Sequence, residues 1–164
     1  SAELSTFPAK SPPILSSEGI DETSKAKGFE QLERPNESLT DRAWGLVEEG
    51  HLTEAEVEFA KIITEHEHIE TLLSYGVFLC RGGRLDQAKT MMERAVQISE
   101  ERGEGPPFAD ACFNLGVVLQ LLEDRDGAGE MYRKSLESAH RLGLTPHLLK
   151  VTSLLESLGE SISE

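Results

Sequence analysis

His66-Glu67-His68 is the only cluster of histidines in the chain. A metal could use both imidazoles and the carboxylate. Residues two apart leave a helix on different sides, however, and no further ligand follows at helical spacing. Zinc-protease helices need histidines four apart. The run is expected to be a solvated turn. His51, His140 and His147 fall near expected element ends, and His140 suits the negative end of a helix dipole. The two cysteines, Cys80 and Cys112, are too few for a disulfide framework or a four-ligand zinc site. Both lie at apolar-stripe spacing with no histidine expected beside them, so they read as buried thiols. Gly82-Gly83 and Gly103-Glu104-Gly105 follow no strand, which excludes a phosphate loop. The acid pairs Glu48-Glu49 and Glu100-Glu101 read as solvated faces. No nucleophile–base set emerges, so no enzyme, no metal and no cofactor are expected.

Composition narrows the remaining classes. The 164 residues suit one domain of ordinary size. Thirty acids against sixteen bases leave a formal charge of −14, which disfavours phosphate-binding and polybasic membrane surfaces. No stretch of about 18 apolar residues is available to span a bilayer. With 38% apolar and only 5% aromatic residues, the core must be built from Leu, Ala, Val and Ile. The reading is cytoplasmic or another reducing compartment. A start on Ser1 is expected of a processed chain.

The elements that would position these residues are helices. Four of the seven prolines, Pro8, Pro12, Pro13 and Pro35, crowd the N-terminal stretch, which is also Ser-rich. Residues 1–37 are expected to form a largely disordered arm, with Phe7, Ile14 and Leu15 as its possible anchors. Residues 38–164 are expected to form the folded domain. There, apolar residues recur every three or four positions. Helices are predicted at 39–49, 53–65, 69–81, 85–102, 108–122, 126–142 and 146–158. Thr53-Glu54-Ala55-Glu56 reads as a capping box. Gly50, Gly82-Gly83 and Gly143 suit helix ends, while Pro106-Pro107 and Pro146 suit first turns.

Three segments, 39–65, 69–99 and 109–138, superpose. Small residues recur in the first helix of each (Ala43, Gly76, Gly116) and early in the second (Ala55, Ala88, Ala128). A bulky plug follows one turn later: Phe59, Met92, Tyr132. Ala55 and Ala88 are 33 residues apart, Ala88 and Ala128 are 40, so the later interval holds a six- or seven-residue insert. Small residues let two backbones approach, and a pair that cannot bury its apolar face alone must stack on a neighbour.

At these residues the chain resembles the tetratricopeptide repeat family over roughly 36–142. Leu72, Tyr75, Gly76, Leu79, Gly83, Ala88, Met92 and Ala95 all fall at its signature spacing. Leu115, Gly116, Leu119, Ala128 and Tyr132 fit in the third segment, where Cys112 replaces a large aromatic. The first segment departs from it at Arg42, and no proline closes any repeat. The 96–102 extension and 103–107 loop look like the longer repeats of kinesin light chains and some bacterial regulators. The resemblance implies an all-α, right-handed superhelix of about three helix pairs with a C-terminal capping helix. It also implies a concave face lined by Glu37, Thr40, Trp44, Val47 and Glu48, then Glu70, Leu73, Val77, Cys80 and Arg81, then Asp110, Phe113, Asn114, Val117, Gln120 and Leu121.

Such a face would have an apolar floor of Trp44, Val47, Leu73, Val77, Phe113, Val117 and Leu121, with Arg81 and Asn114 as its polar members. Glu37, Glu70 and Asp110 would form an acidic rim. With only Arg81 and Asn114 to receive a carboxylate, the chaperone C-terminus clamp of some relatives is not expected. A partner helix or peptide with basic flanks is. The expected function is a non-catalytic interaction module, an adaptor or scaffold, with a structural or self-association module as the alternative. Leu148, Leu149, Val151, Leu154, Leu155 and Leu158 give the last helix a wide stripe, which would cap the third repeat and, in the alternative, contact a second copy.

Overall fold

The computed structural model describes residues 37–159. Among them are seven α-helices and no strand: α1 (Glu37–Glu48), α2 (Leu52–Glu65), α3 (Ile69–Arg81), α4 (Leu85–Glu101), α5 (Pro106–Leu121), α6 (Arg125–Leu142) and α7 (Thr145–Ser157). The fold is the all-helical repeat that the periodicity predicts. Each helix end lies within two residues of its expected place. The expected arm lies almost wholly outside the described residues.

One turn joins the two helices of every pair. Gly50 (φ 84°) and Gly83 (φ 79°) sit in the left-handed region, and so does Glu123 (φ 65°). Their amides donate to Val47, Cys80 and Gln120 carbonyls at 3.0 Å. The next residue's amide reaches one residue further back, to Leu46, Leu79 and Leu119. These bonds take up the carbonyls that a helix end leaves unpaired. Glycine adopts this backbone freely, whereas glutamate bears a Cβ penalty of about 1 kcal/mol.

The helix starts differ from expectation at one place. Thr53 makes no capping box. The residue before α2 is His51, whose backbone carbonyl accepts from Ala55 N–H at 2.9 Å. Glu56 instead pairs with Arg84, so a contact from 28 residues away takes the side chain that the local motif needs. A side-chain cap does form at α3, where Thr71 Oγ1 accepts from His68 N–H at 3.1 Å and donates to His66 O at 2.7 Å. Another forms at α6, where Asp124 accepts from Gly127 N–H at 2.9 Å.

The chain divides into two compact units, Ser1–Met91 and Met92–Glu164, with the boundary inside α4. In the first, Phe59 is the hub: Trp44 meets it edge-on at 5.2 Å, Phe78 lies at 5.1 Å and Tyr75 stacks on it at 5.7 Å. Ala43, Ala55 and Ala88 are fully buried. In the second, Tyr132 is fully buried, and a Cβ added to Gly116 would lie 2.6 Å from its ring. The Tyr132 hydroxyl donates to Gln120 at 2.8 Å.

Two substitutions test this account by thermal denaturation. Gly116→Ala should destabilise the protein by about 1–3 kcal/mol, because overpacking Tyr132 outweighs the roughly 1 kcal/mol that alanine gains in a helix. Glu123→Gly should stabilise it by about 1 kcal/mol by relieving the left-handed backbone.

Candidate functional site

The residues expected to line a groove are mostly packed inside. In the first unit Trp44, Leu73 and Val77 are buried, and Val47, Glu70 and Arg81 are half-buried. The Arg81 guanidinium lies 5.5 Å over the Trp44 ring, which also meets Phe59 edge-on. In the second unit Phe113, Asn114 and Val117 are buried, Asp110 is half-buried, and Leu121 is exposed at the end of α5. Asn114 Nδ2 donates to the Asp110 carbonyl one turn earlier, at 2.8 Å. The side chain of Glu37 lies outside the described residues. Trp44, Leu73, Val77, Phe113 and Val117, expected as an apolar floor, are all buried in the free chain.

What covers Phe113 is the last helix. The His147 ring meets it edge-on at 5.5 Å and Lys150 Nζ lies 5.2 Å above it. Beneath α7 three polar groups converge. Ser135 Oγ on α6 donates to the Ala109 carbonyl at 2.7 Å and stands 2.6 Å from His147 Nε2. His147 Nδ1 faces Asp110 Oδ1 at 3.7 Å. Burial lowers the His147 imidazole to about 4, helped by Lys150 and opposed by the imidazole's own hydrogen bond to the Ala109 backbone. Burial raises Asp110 to about 6 against the pull of Lys150. Burial likewise lowers Lys150. At neutral pH the His147–Asp110 approach is thus no ion pair, because the imidazole is uncharged.

Serine, histidine and aspartate in this order mimic a hydrolytic triad. Here the hydroxyl is fully buried and its proton goes to a backbone carbonyl instead of the imidazole. That is a packing role, whereas nucleophilic work needs the proton on the base side. The far end of α7 is held as well: the Arg125 guanidinium donates to the Leu158 carbonyl. Sequence reasoning missed both contacts. Its available signal was Ser135, a polar residue in the repeat slot that Ala95 fills one segment earlier.

On α7 itself Val151, Leu154, Leu155 and Leu158 are buried and Leu149 is 71% exposed. The buried row caps, as expected. Leu154 cannot serve as an exposed dimer contact. The cysteines are buried, and burial pushes both thiols up to about 12. Among the described residues no cluster of three or more His, Cys, Asp or Glu could hold a metal. His66 and His68 stack loosely at 6.0 Å beside the α3 cap.

The α3–α4 and α5–α6 pairs share the slots that pack Ala88 and Ala128 early in their second helices. Residues 67–139 match the tetratricopeptide repeat family. The match takes in both of these pairs and leaves out α1–α2, where Arg42 breaks the pattern. Tetratricopeptide repeats are generally protein-interaction modules and typically non-catalytic. No curated protein and no solved structure matches the chain. No helix among the described residues is long and apolar enough to cross a membrane.

The polar cluster fixes a pH response. Between pH 6.5 and 4 an unfolded chain protonates His147 before the folded one does, so acid destabilises through this group. Between pH 6 and 3.8 the folded chain protonates Asp110 first, so acid stabilises through that group. The two slopes oppose each other. Asp110→Asn removes the second, and its unfolding free energy should fall from pH 7 to pH 4 relative to wild type, by about 1–2 kcal/mol once the partial exposure of the carboxylate is allowed for. Urea titrations at both values measure this.

Proposed function

We propose that the chain is a non-catalytic protein-interaction module for a partner helix or extended peptide with basic flanks. The observation that supports this most is the tetratricopeptide match over 67–139 in a chain of net charge −14. The repeat supplies stiff helix pairs, and the charge draws in basic segments. The 40-residue spacing of Ala88 and Ala128 favours the longer, kinesin-light-chain-like type.

Recognition is assigned to the partly exposed residues. Glu70 and Arg81 offer a carboxylate and a guanidinium on α3, and Leu121 offers an apolar contact at the end of α5. Trp44 and Phe113 are poor reporters of binding. Truncating a fully buried aromatic costs about 3–5 kcal/mol of folding free energy and would remove the binding surface with the fold. The exposed Leu149 favours a second reading, a self-association contact on α7.

Helical peptides selected by display against the full chain, then measured by isothermal titration, test the first reading. Selected sequences should be rich in Lys and Arg, and affinity should fall with added salt. Glu70→Gln should weaken binding about threefold. Selection of no peptide, or of acidic ones, overturns the proposal. Sedimentation velocity tests the second reading: a dimer abolished by Leu149→Glu supports it, and a concentration-independent monomer removes it.

A further inference from the structure

α7 ends as the first helix of each pair ends. Gly159 lies in the left-handed region (φ 76°), and its amide donates to the Glu156 carbonyl three residues back at 2.9 Å. Gly50, Gly83 and Glu123 make the same turn after α1, α3 and α5. Counting back seven residues from each turn gives Ala43, Gly76, Gly116 and, on α7, Thr152. By this register α7 is the first helix of a fourth pair. We propose that α7 of a second copy supplies the second helix of that pair, antiparallel to the first across a two-fold axis. This rests on the second reading above, self-association through α7.

The seam that a second helix covers is visible on α5. Counting back from its turn, Gln120 accepts from the Tyr132 hydroxyl at 2.8 Å, Gly116 lies against the Tyr132 ring, and Phe113 meets that ring at 6.2 Å. Ala109 ends the row and is fully buried. On α7 the equivalent residues are Glu156, Thr152, Leu149 and Thr145. Thr152 is half-buried and the other three are exposed, Leu149 at 71%. Spaced by four, three and four residues, they form one stripe along the helix, turned away from the buried Val151, Leu154 and Leu155.

The stripe is complementary to itself. Thr145, Leu149 and Thr152 give the small, bulky, small order at i, i+4 and i+7 that opens the second helices: Ala88, Met92 and Ala95 on α4, Ala128, Tyr132 and Ser135 on α6. A Cβ on Gly116 would stand 2.6 Å from the Tyr132 ring. Thr152 has that Cβ, so its slot takes a leucine in place of a tyrosine. Knob and hole share one face, as a two-fold contact requires. An antiparallel pair that sets Leu149 of each copy on Thr152 of the other also sets Glu156 of each beside Thr145 of the other. There the carboxylate meets a hydroxyl donor and the positive end of a helix. The stripe's single charged group thus finds its complement, in a chain whose net charge of −14 sets most other surfaces against each other.

Sedimentation velocity on the full chain over a range of concentrations tests this. Wild type should dimerise, and Leu149→Glu should weaken the dimer at least about a hundredfold, because the two-fold removes two buried leucines at once. Thr145→Glu would set two carboxylates together, and Glu156→Lys would set an ammonium group at a helix N-terminus. Each should weaken its own dimer about tenfold. Both substitutions suit α7 taken alone, with an acid in its first turn and a base in its last, so weaker association does not report a lost helix. Mixed in equal amounts, the two variants should recover wild-type association, because the new lysine then faces the new glutamate. A concentration-independent wild-type monomer, or a dimer that Leu149→Glu leaves intact, overturns the proposal together with the reading beneath it. A dimer lost in Leu149→Glu that the charge variants do not weaken, or that mixing them does not restore, overturns the antiparallel pairing and leaves self-association through α7 standing.

Discussion

Helices can pair this closely only where one of them has no side chain in the way. Gly116 meets the Tyr132 ring at a distance no Cβ could occupy. Ala55, Ala88 and Ala128 open the second helices with the smallest side chain that still favours a helix, and all three are fully buried. The contact brings the next turn's bulky residue, Phe59 or Tyr132, down onto the opposite helix, where each is also buried. The turns follow from it too. Two helices held this closely must reverse within three residues, which requires a left-handed backbone at Gly50, Gly83 and Glu123.

The fold was largely legible in the sequence because these constraints act through residue size and backbone freedom, which composition records directly. A glycine at a helix end, a proline in a first turn and an apolar residue every three or four positions each carry local physical meaning. The capping box at Thr53 was misread because a side chain has competing partners. Glu56 was free in the sequence but is engaged by Arg84 in the fold. The cap that forms uses Thr71 hydroxyl and backbone groups of His66 and His68, a run whose residue types point first to metal chemistry.

The candidate site was less legible, for a related reason. Repeat position says which way a side chain leaves its helix. It does not say what lies over it. Trp44 and Phe113 were expected at lining positions, yet each is large enough to reach a neighbour: Phe59 and Arg81 around the indole, His147 and Lys150 around the phenyl ring. Smaller residues at the same positions would have left the floor open. The aromatic payload that makes a residue a good anchor for a partner also makes it a good anchor for its own chain.

The polar contacts at the ends of α7 supply something its apolar row cannot. Val151, Leu154, Leu155 and Leu158 repeat at helical spacing, so the row alone would accept α7 shifted by one turn at modest loss. His147 must meet Ser135 at one end, and the Leu158 carbonyl must meet Arg125 at the other. Those points are about 16 Å apart along a helix, at 1.5 Å for each residue. A slip of one turn would break both contacts. Seating the imidazole costs folding free energy, and so does desolvating Asp110 and Lys150. In exchange α7 has one register, and Lys150 stands over Phe113 in that register alone.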